Sequence, residues 1–129
     1  MKIQINVTPE RFVFESDEKA LELDTCIHYL LEGQEVTPVA IGDRVEIPNA
    51  RFTELFKSED PFIDHFYLLR LLLEYGIGKV FEKKFLSAAK PDIVFHGVEQ
   101  LHKALGGYQF GVFETAAIQA GARQVEFEQ

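Results

Sequence analysis

His96 is the residue whose type and place could do acid–base or ligand chemistry in this chain. It closes the apolar run Ile93-Val94-Phe95 and is followed by Gly97. It should therefore stand at the carboxyl end of a central strand, where open α/β sheets hold their ligands. Asn6 and Thr8 should end a neighbouring strand, so a weak ligand-binding set would be Asn6, Thr8, His96 and Gly97. His102 and Asp92 flank His96 in sequence, and a metal or acid–base centre would need all three to converge. Their spacing matches no common zinc pattern. The plainer reading is a polar side chain capping a strand.

The remaining chemistry-bearing residues are weaker signals. Cys26 is the only cysteine, sits in an alternating segment and has no histidine beside it, so a buried inert thiol is expected rather than a nucleophile. Gly106-Gly107 before a helix could cradle an anion on the helix N-terminus, but without the Lys or Ser/Thr of a phosphate loop a flexible turn is the better reading. His28 and His65 read as partly buried histidines. The acidic groups Asp17-Glu18, Glu32 to Glu35 and Glu126 to Glu128 read as solvated turns and faces. No catalytic residue and no metal ligand is assigned.

The elements that must position these residues follow from periodicity. Ile3, Ile5 and Val7 alternate with Gln4 and Asn6, a half-buried strand, and Arg11–Glu15 should pair with it as a hairpin. Ala20 to Leu31 alternates again, and Thr37–Ile41 is a further short strand. Gly42 to Asp60 lacks periodicity, with a short helix near Phe52–Phe56. A long helix should begin near Ser58–Asp60, with Asp60 as N-cap and Pro61 at its first position. Its stripe of Phe62, Phe66, Leu69, Leu73, Ile77 and Val80 should face the core, and Gly76 and Gly78 either end it or weaken it. Leu68, Leu71, Leu72 and Tyr75 should lie on roughly the opposite side. Either the Phe52, Leu55 and Phe56 segment folds over them, or a protein partner does, since monomers rarely leave large apolar patches open. The strand Pro91–His96, a Gly-bearing connection, a helix from Tyr108 to Gln119 and a strand Gln124–Glu128 close the chain as a βαβ unit. That helix should bury Phe110, Phe113, Ala117 and Ile118 and stop at Gly121. The fold class is α/β: one mixed sheet, an antiparallel meander followed by parallel crossover strands, in a single domain of residues 1–129.

Composition excludes several functions. With 129 residues and 47% hydrophobic content, the chain can bury a core without disulfides or metals. A net charge of −8 disfavours nucleic acid, whose phosphates call for clustered Lys and Arg. The lone cysteine and the absence of an apolar N-terminal segment or membrane span fit a soluble cytoplasmic protein.

The passage Val112-Phe-Glu-Thr-Ala-Ala-Ile-Gln-Ala-Gly-Ala-Arg-Gln-Val125, with Lys90-Pro-Asp-Ile-Val-Phe-His-Gly-Val98 upstream, resembles the N-terminal part of bacterial actin homologues of the rod-shape-determining (MreB-like) type. The resemblance implies an actin-like or ribonuclease-H-like half domain. The family's first phosphate loop carries Asp, any residue, then Gly-Thr between its first two strands. Here the matching stretch is Ile5-Asn6-Val7-Thr8-Pro9, without the Asp and Gly, and with a proline that removes an amide donor. The family's second phosphate loop and adenosine pocket belong to its later half. No nucleotide-binding residue carries over and no cofactor is expected; the resemblance implies a truncated subdomain without its nucleotide motifs.

The expected function is a non-catalytic interaction or scaffold protein, self-associating as a homodimer or covered by a protein partner through Leu68, Leu71, Leu72 and Tyr75. The alternative is a small-ligand-binding module using the cleft near Thr8 and His96. An enzyme with His96 as acid–base ranks behind both.

Overall fold

The N-terminal alternation forms β1 (Lys2–Val7), with Ile3, Ile5 and Val7 buried and Lys2 and Asn6 exposed. The computed structural model describes residues 2–57, 63–81, 89–105 and 110–128. β1 pairs antiparallel with β2 (Arg11–Glu15), and β2 with β3 (Ala20–Asp24). On its other side β1 pairs in parallel with β7 (Asp92–His96), which pairs in parallel with β8 (Gln124–Glu128). The result is a five-stranded mixed sheet of order β3-β2-β1-β7-β8. Register places Phe127, Phe95, Ile5, Phe14 and Leu21 in one row across it. With a side-chain period of two, that row and its neighbours Ile3, Phe12 and Ile93 share one apolar face.

The expected single run from Ala20 to Leu31 is divided. Thr25 breaks it, because its backbone and side chain are taken up elsewhere: its amide donates to Glu10 O at 3.1 Å and its hydroxyl to Pro9 O at 2.8 Å. Beyond it, β4 (Cys26–Glu32) enters a second, three-stranded antiparallel sheet of order β5-β4-β6 with β5 (Glu35–Ile41) and β6 (Arg51–Glu54). The short helix expected near Phe52–Phe56 is thus a strand at its start. Thr53 is buried there while Phe52 faces out, the alternation of a strand rather than the stripe of a helix. The mixed sheet is as expected, but part of the meander has left it.

The long helix, α1 (His65–Val80), is capped by Asp64, whose carboxylate accepts from Phe66 N at 2.7 Å. Asp60, Pro61 and Phe62 lie outside the described residues. α1 contacts β2, β3, β5 and a later helix, α3 (Phe110–Gln119). Its buried residues are Leu68, Leu69, Leu72, Leu73, Gly76, Ile77 and Val80. At about 100° per residue these form one stripe covering about half the circumference, not two opposed faces. Leu68 and Leu72 are core residues, so their expected place on an interface is corrected. Gly76 lies at the middle of that stripe, and the ring of Phe14 occupies the space a Cβ would need there. The glycine serves close packing, and the helix runs through it to Val80.

After β7 the expected loop contains a further helix, α2 (Val98–Leu105), which buries Val98 and Leu101. α3 buries Phe113, Ala116 and Ala117, whereas Phe110 and Ile118 are exposed, a correction to its expected core face; Tyr108 and Gly106-Gly107 lie outside the described residues. Gly121, at φ 113°, ends α3 as expected. Gly121 N donates to Ile118 O at 3.1 Å and Ala122 N to Ala117 O at 2.9 Å, a Schellman turn. Among the described residues no helix is long and apolar enough to cross a membrane.

Candidate functional site

β1 and β7 run parallel with Asn6 beside His96, so their carboxyl ends open together. Asn6, Val7, Thr8, His96, Gly97 and Gln100 line a shallow cleft of about 410 Å³. The four ligand residues expected from sequence are therefore brought together, with Gln100 from the first turn of α2 added. Gly97, at φ +94°, is held where a Cβ would lie 2.6 Å from Val7 O. Only glycine allows the two strand ends to approach so closely.

Most of the polar capacity in this cleft is turned inward. Thr8 Oγ1 donates to Arg11 O at 2.9 Å and accepts from Arg11 N at 3.1 Å, while Thr8 N donates to Arg11 O at 3.0 Å. Those amides close the β1–β2 turn, and Pro9 has none to offer. His96 is hydrogen-bonded through Nε2 to Gln4 Oε1, and Glu128 Oε2 lies 3.8 Å from the same nitrogen. The carboxyl ends of three parallel strands thus present Asn6, His96 and Glu128 in a row.

Asp92 and His102 do not join them. Asp92 begins β7 at the opposite end and takes a bidentate ion pair from Arg123, at 2.8 Å for each bond. That hydrogen bonding holds its carboxyl below the usual range. His102 is exposed on α2. Among the described residues no group of three or more His, Cys, Asp or Glu could hold a metal.

Cys26 is fully buried, and desolvation pushes its thiol up to about 11. Its Sγ lies 3.5 Å from Asp43 O, and His28 Nε2 lies 3.0 Å from the same oxygen. Both side chains pin the loop after β5 to β4. Cys26 is buried, as its surroundings in sequence predict. His28 is buried and His65 exposed, rather than both being partly buried.

A second feature was not legible in the sequence. A cavity of about 760 Å³ opens at the other end of β7, where Lys19, Lys79 and Lys90 surround Ile77, Phe81 and Pro91. It adjoins a groove of about 330 Å³ along α1 formed by Ile41, Leu71, Tyr75 and Gly78, the two sharing Glu74, Gly78 and Lys79. The carboxyl ends of α1 and α3 border the larger cavity, so the lysines complement helix dipoles there. Of the four interface residues expected from sequence, only Leu71 and Tyr75 remain at the surface, Leu71 partly and Tyr75 at 37% exposure.

A mixed sheet of this strand order, with helices packed on its apolar face, is the architecture of an actin-like half domain. Crystal structures of MreB5 of Spiroplasma citri share it. The form bound to ADP aligns with 99% of this chain at a TM-score of 0.61 and 14% identity. The form bound to AMPPNP aligns with 99% at 0.59 and 13% identity. The chain spans 37% and 38% of the length of those two chains. The fold is thus that of an MreB-like actin subdomain. No family model and no curated protein matches the chain.

Proposed function

We propose that this chain is a cytoplasmic, non-catalytic interaction or scaffold module that self-associates through the outer flank of α1. The observation that carries the reading is the groove beside Leu71 and Tyr75. It is apolar at Ile41, Leu71 and Tyr75, and it continues into the larger lysine-rimmed cavity. Two-fold dimers are the commonest homo-oligomers, and burying a Leu and a Tyr contributes roughly 1.5–3 kcal/mol each toward the entropic cost of association. The inward-turned Thr8 and Arg11 amides support the non-catalytic part, since a phosphate would find few donors at that turn.

Light-scattering mass tests the proposal. The native chain should run as a dimer at high micromolar concentration, and Leu71→Glu with Tyr75→Lys should give a folded monomer. A native monomer at that concentration ends this reading. Leu68 and Leu72 are unsuitable probes, because changing them removes core.

A second reading, a small-ligand module, rests on the gathering of Asn6, Thr8, His96 and Gly97 in one cleft. A ligand at 100 times its dissociation constant stabilises the fold by about 2.7 kcal/mol, so a melting screen decides it. Millimolar Mg²⁺–ATP should produce no upward shift. A shift that His96→Asn abolishes would favour the cleft over the scaffold.

A further inference from the structure

The sheets end in edge strands that differ in how they are protected. In the three-stranded sheet, β5 carries Pro38 and a register shift opposite His28 and Tyr29, and β6 has only four residues. In the five-stranded sheet, the edge strand β3 has Glu22 and Asp24 ion-paired to Arg11, and Asp24 also to Arg44. Proline, irregular register, short length and engaged charge all discourage further pairing. β8 has neither proline nor irregular register, and the engaged charge on it is Glu128, 3.8 Å from His96 Nε2. It pairs with β7 alone among the described residues, in unbroken register over five residues, with no proline and no lysine.

The side chains beside this edge define what could add to it. On one face Gln124, Glu126 and Glu128 are exposed. On the other, Val125 and Phe127 are only half-buried, and Phe110 packs edge-on against Phe127 with ring centroids 4.9 Å apart. Phe110 is itself 45% exposed. Phe127 stacks on Phe95 at 5.6 Å, so an aromatic row runs from the core to the partly exposed Phe110 at this margin.

We propose that the β8 edge is a docking site for an extended segment of a protein partner whose residues alternate between basic and apolar. Backbone pairing along Gln124–Glu128 would supply affinity, and the two side-chain rows would supply selectivity. Apolar residues of the added strand fall over Phe110 and Phe127, and basic residues fall beside Glu126 and Glu128. The net charge of −8 favours the same partner chemistry at longer range. A second copy of β8 is the wrong occupant, because antiparallel pairing across a two-fold axis sets acidic rows side by side. This surface is separate from the α1 groove, so the two proposals fail independently.

The test uses the whole chain and a synthetic six-residue peptide of alternating lysine and valine, followed by fluorescence anisotropy and amide hydrogen exchange. Binding should slow exchange at Gln124–Glu128 and weaken with salt. Glu126→Lys with Glu128→Lys should weaken it at least about tenfold, and Phe110→Ala should weaken it with an unchanged charge. Thermal melting checks that each variant is folded. Absence of binding up to about 1 mM peptide overturns the proposal, and so does equal binding of a glutamate–valine peptide. Protection of β8 that rises with protein concentration before any peptide is added also overturns it, since a second copy would then be the occupant.

Discussion

The two sheets differ in pattern: β1 and β2 of the five-stranded sheet alternate buried and more exposed residues, whereas β4 of the three-stranded sheet begins with four buried residues in a row. In the five-stranded sheet Ile3, Ile5, Phe12, Phe14, Ile93 and Phe95 have no exposed surface. In the three-stranded sheet Ile27 and Tyr29 are just as buried on the inner face, but Phe52 is 44% exposed on the outer one. A sheet is stable when one face meets another layer, and an antiparallel sheet tolerates water on its second face. The helices supply that layer for the larger sheet. The smaller one shares α1 through β5 and is joined to the larger through the backbone and hydroxyl of Thr25. Stability should therefore be concentrated along α1, while the exposed Phe52 on the outer face of the smaller sheet should tolerate change.

The widest gap should separate Leu72→Ala from Phe52→Ala. The first opens a cavity in the shared core and should cost about 2–5 kcal/mol in urea unfolding. The second removes a ring resting on His28, at 5.0 Å between centroids, and should cost less than about 1 kcal/mol. Equal costs would erase the distinction between the two regions.

Cys26 offers a sharper probe of the joint between the sheets. Its thiol is raised from 9.0 to about 11 by burial, so the folded state holds its proton more tightly than the unfolded state. That contribution is fully present below pH 9.0 and is lost as pH rises toward about 11. A shift of this size corresponds to about 2–3 kcal/mol. Cys26→Ala should flatten the alkaline loss of stability by that order, whatever it does at neutral pH. An identical alkaline slope in the variant would mean that the thiol is not desolvated.

The smallest effects should differ in sign. Gly76→Ala drives a methyl into the Phe14 ring on the inner flank of α1 and should cost about 1–3 kcal/mol despite the better helix propensity. Gly78 has nothing within 4 Å of where its Cβ would be, so Gly78→Ala should stabilise the helix by up to about 1 kcal/mol. Chemical denaturation at low protein concentration measures both. Destabilisation by both would place Gly78 in a tighter setting than its open surroundings indicate.

Sequence by itself determined what depends on local chemistry. Alternation at Ile3, Ile5 and Val7 made β1, Gly121 stopped α3, and Pro91–His96 and Gln124–Glu128 made the parallel strands around a crossover. It also placed Asn6, Thr8, His96 and Gly97 at neighbouring strand ends, because parallel strands share a carboxyl end whatever their register. Tertiary structure decided what depends on partners distant in the chain. Periodicity counts apolar residues on a helix but not how many layers surround it, so Leu68 and Leu72 read as a free face although both are fully buried in the fold. Thr25 looks like one more residue of an alternating run, and only its bonds to Pro9 and Glu10 turn the chain into a second sheet. Which partners Thr8 and His96 take inside the protein is likewise a matter of distance: Arg11 lies beside Thr8, and Gln4 and Glu128 lie beside His96.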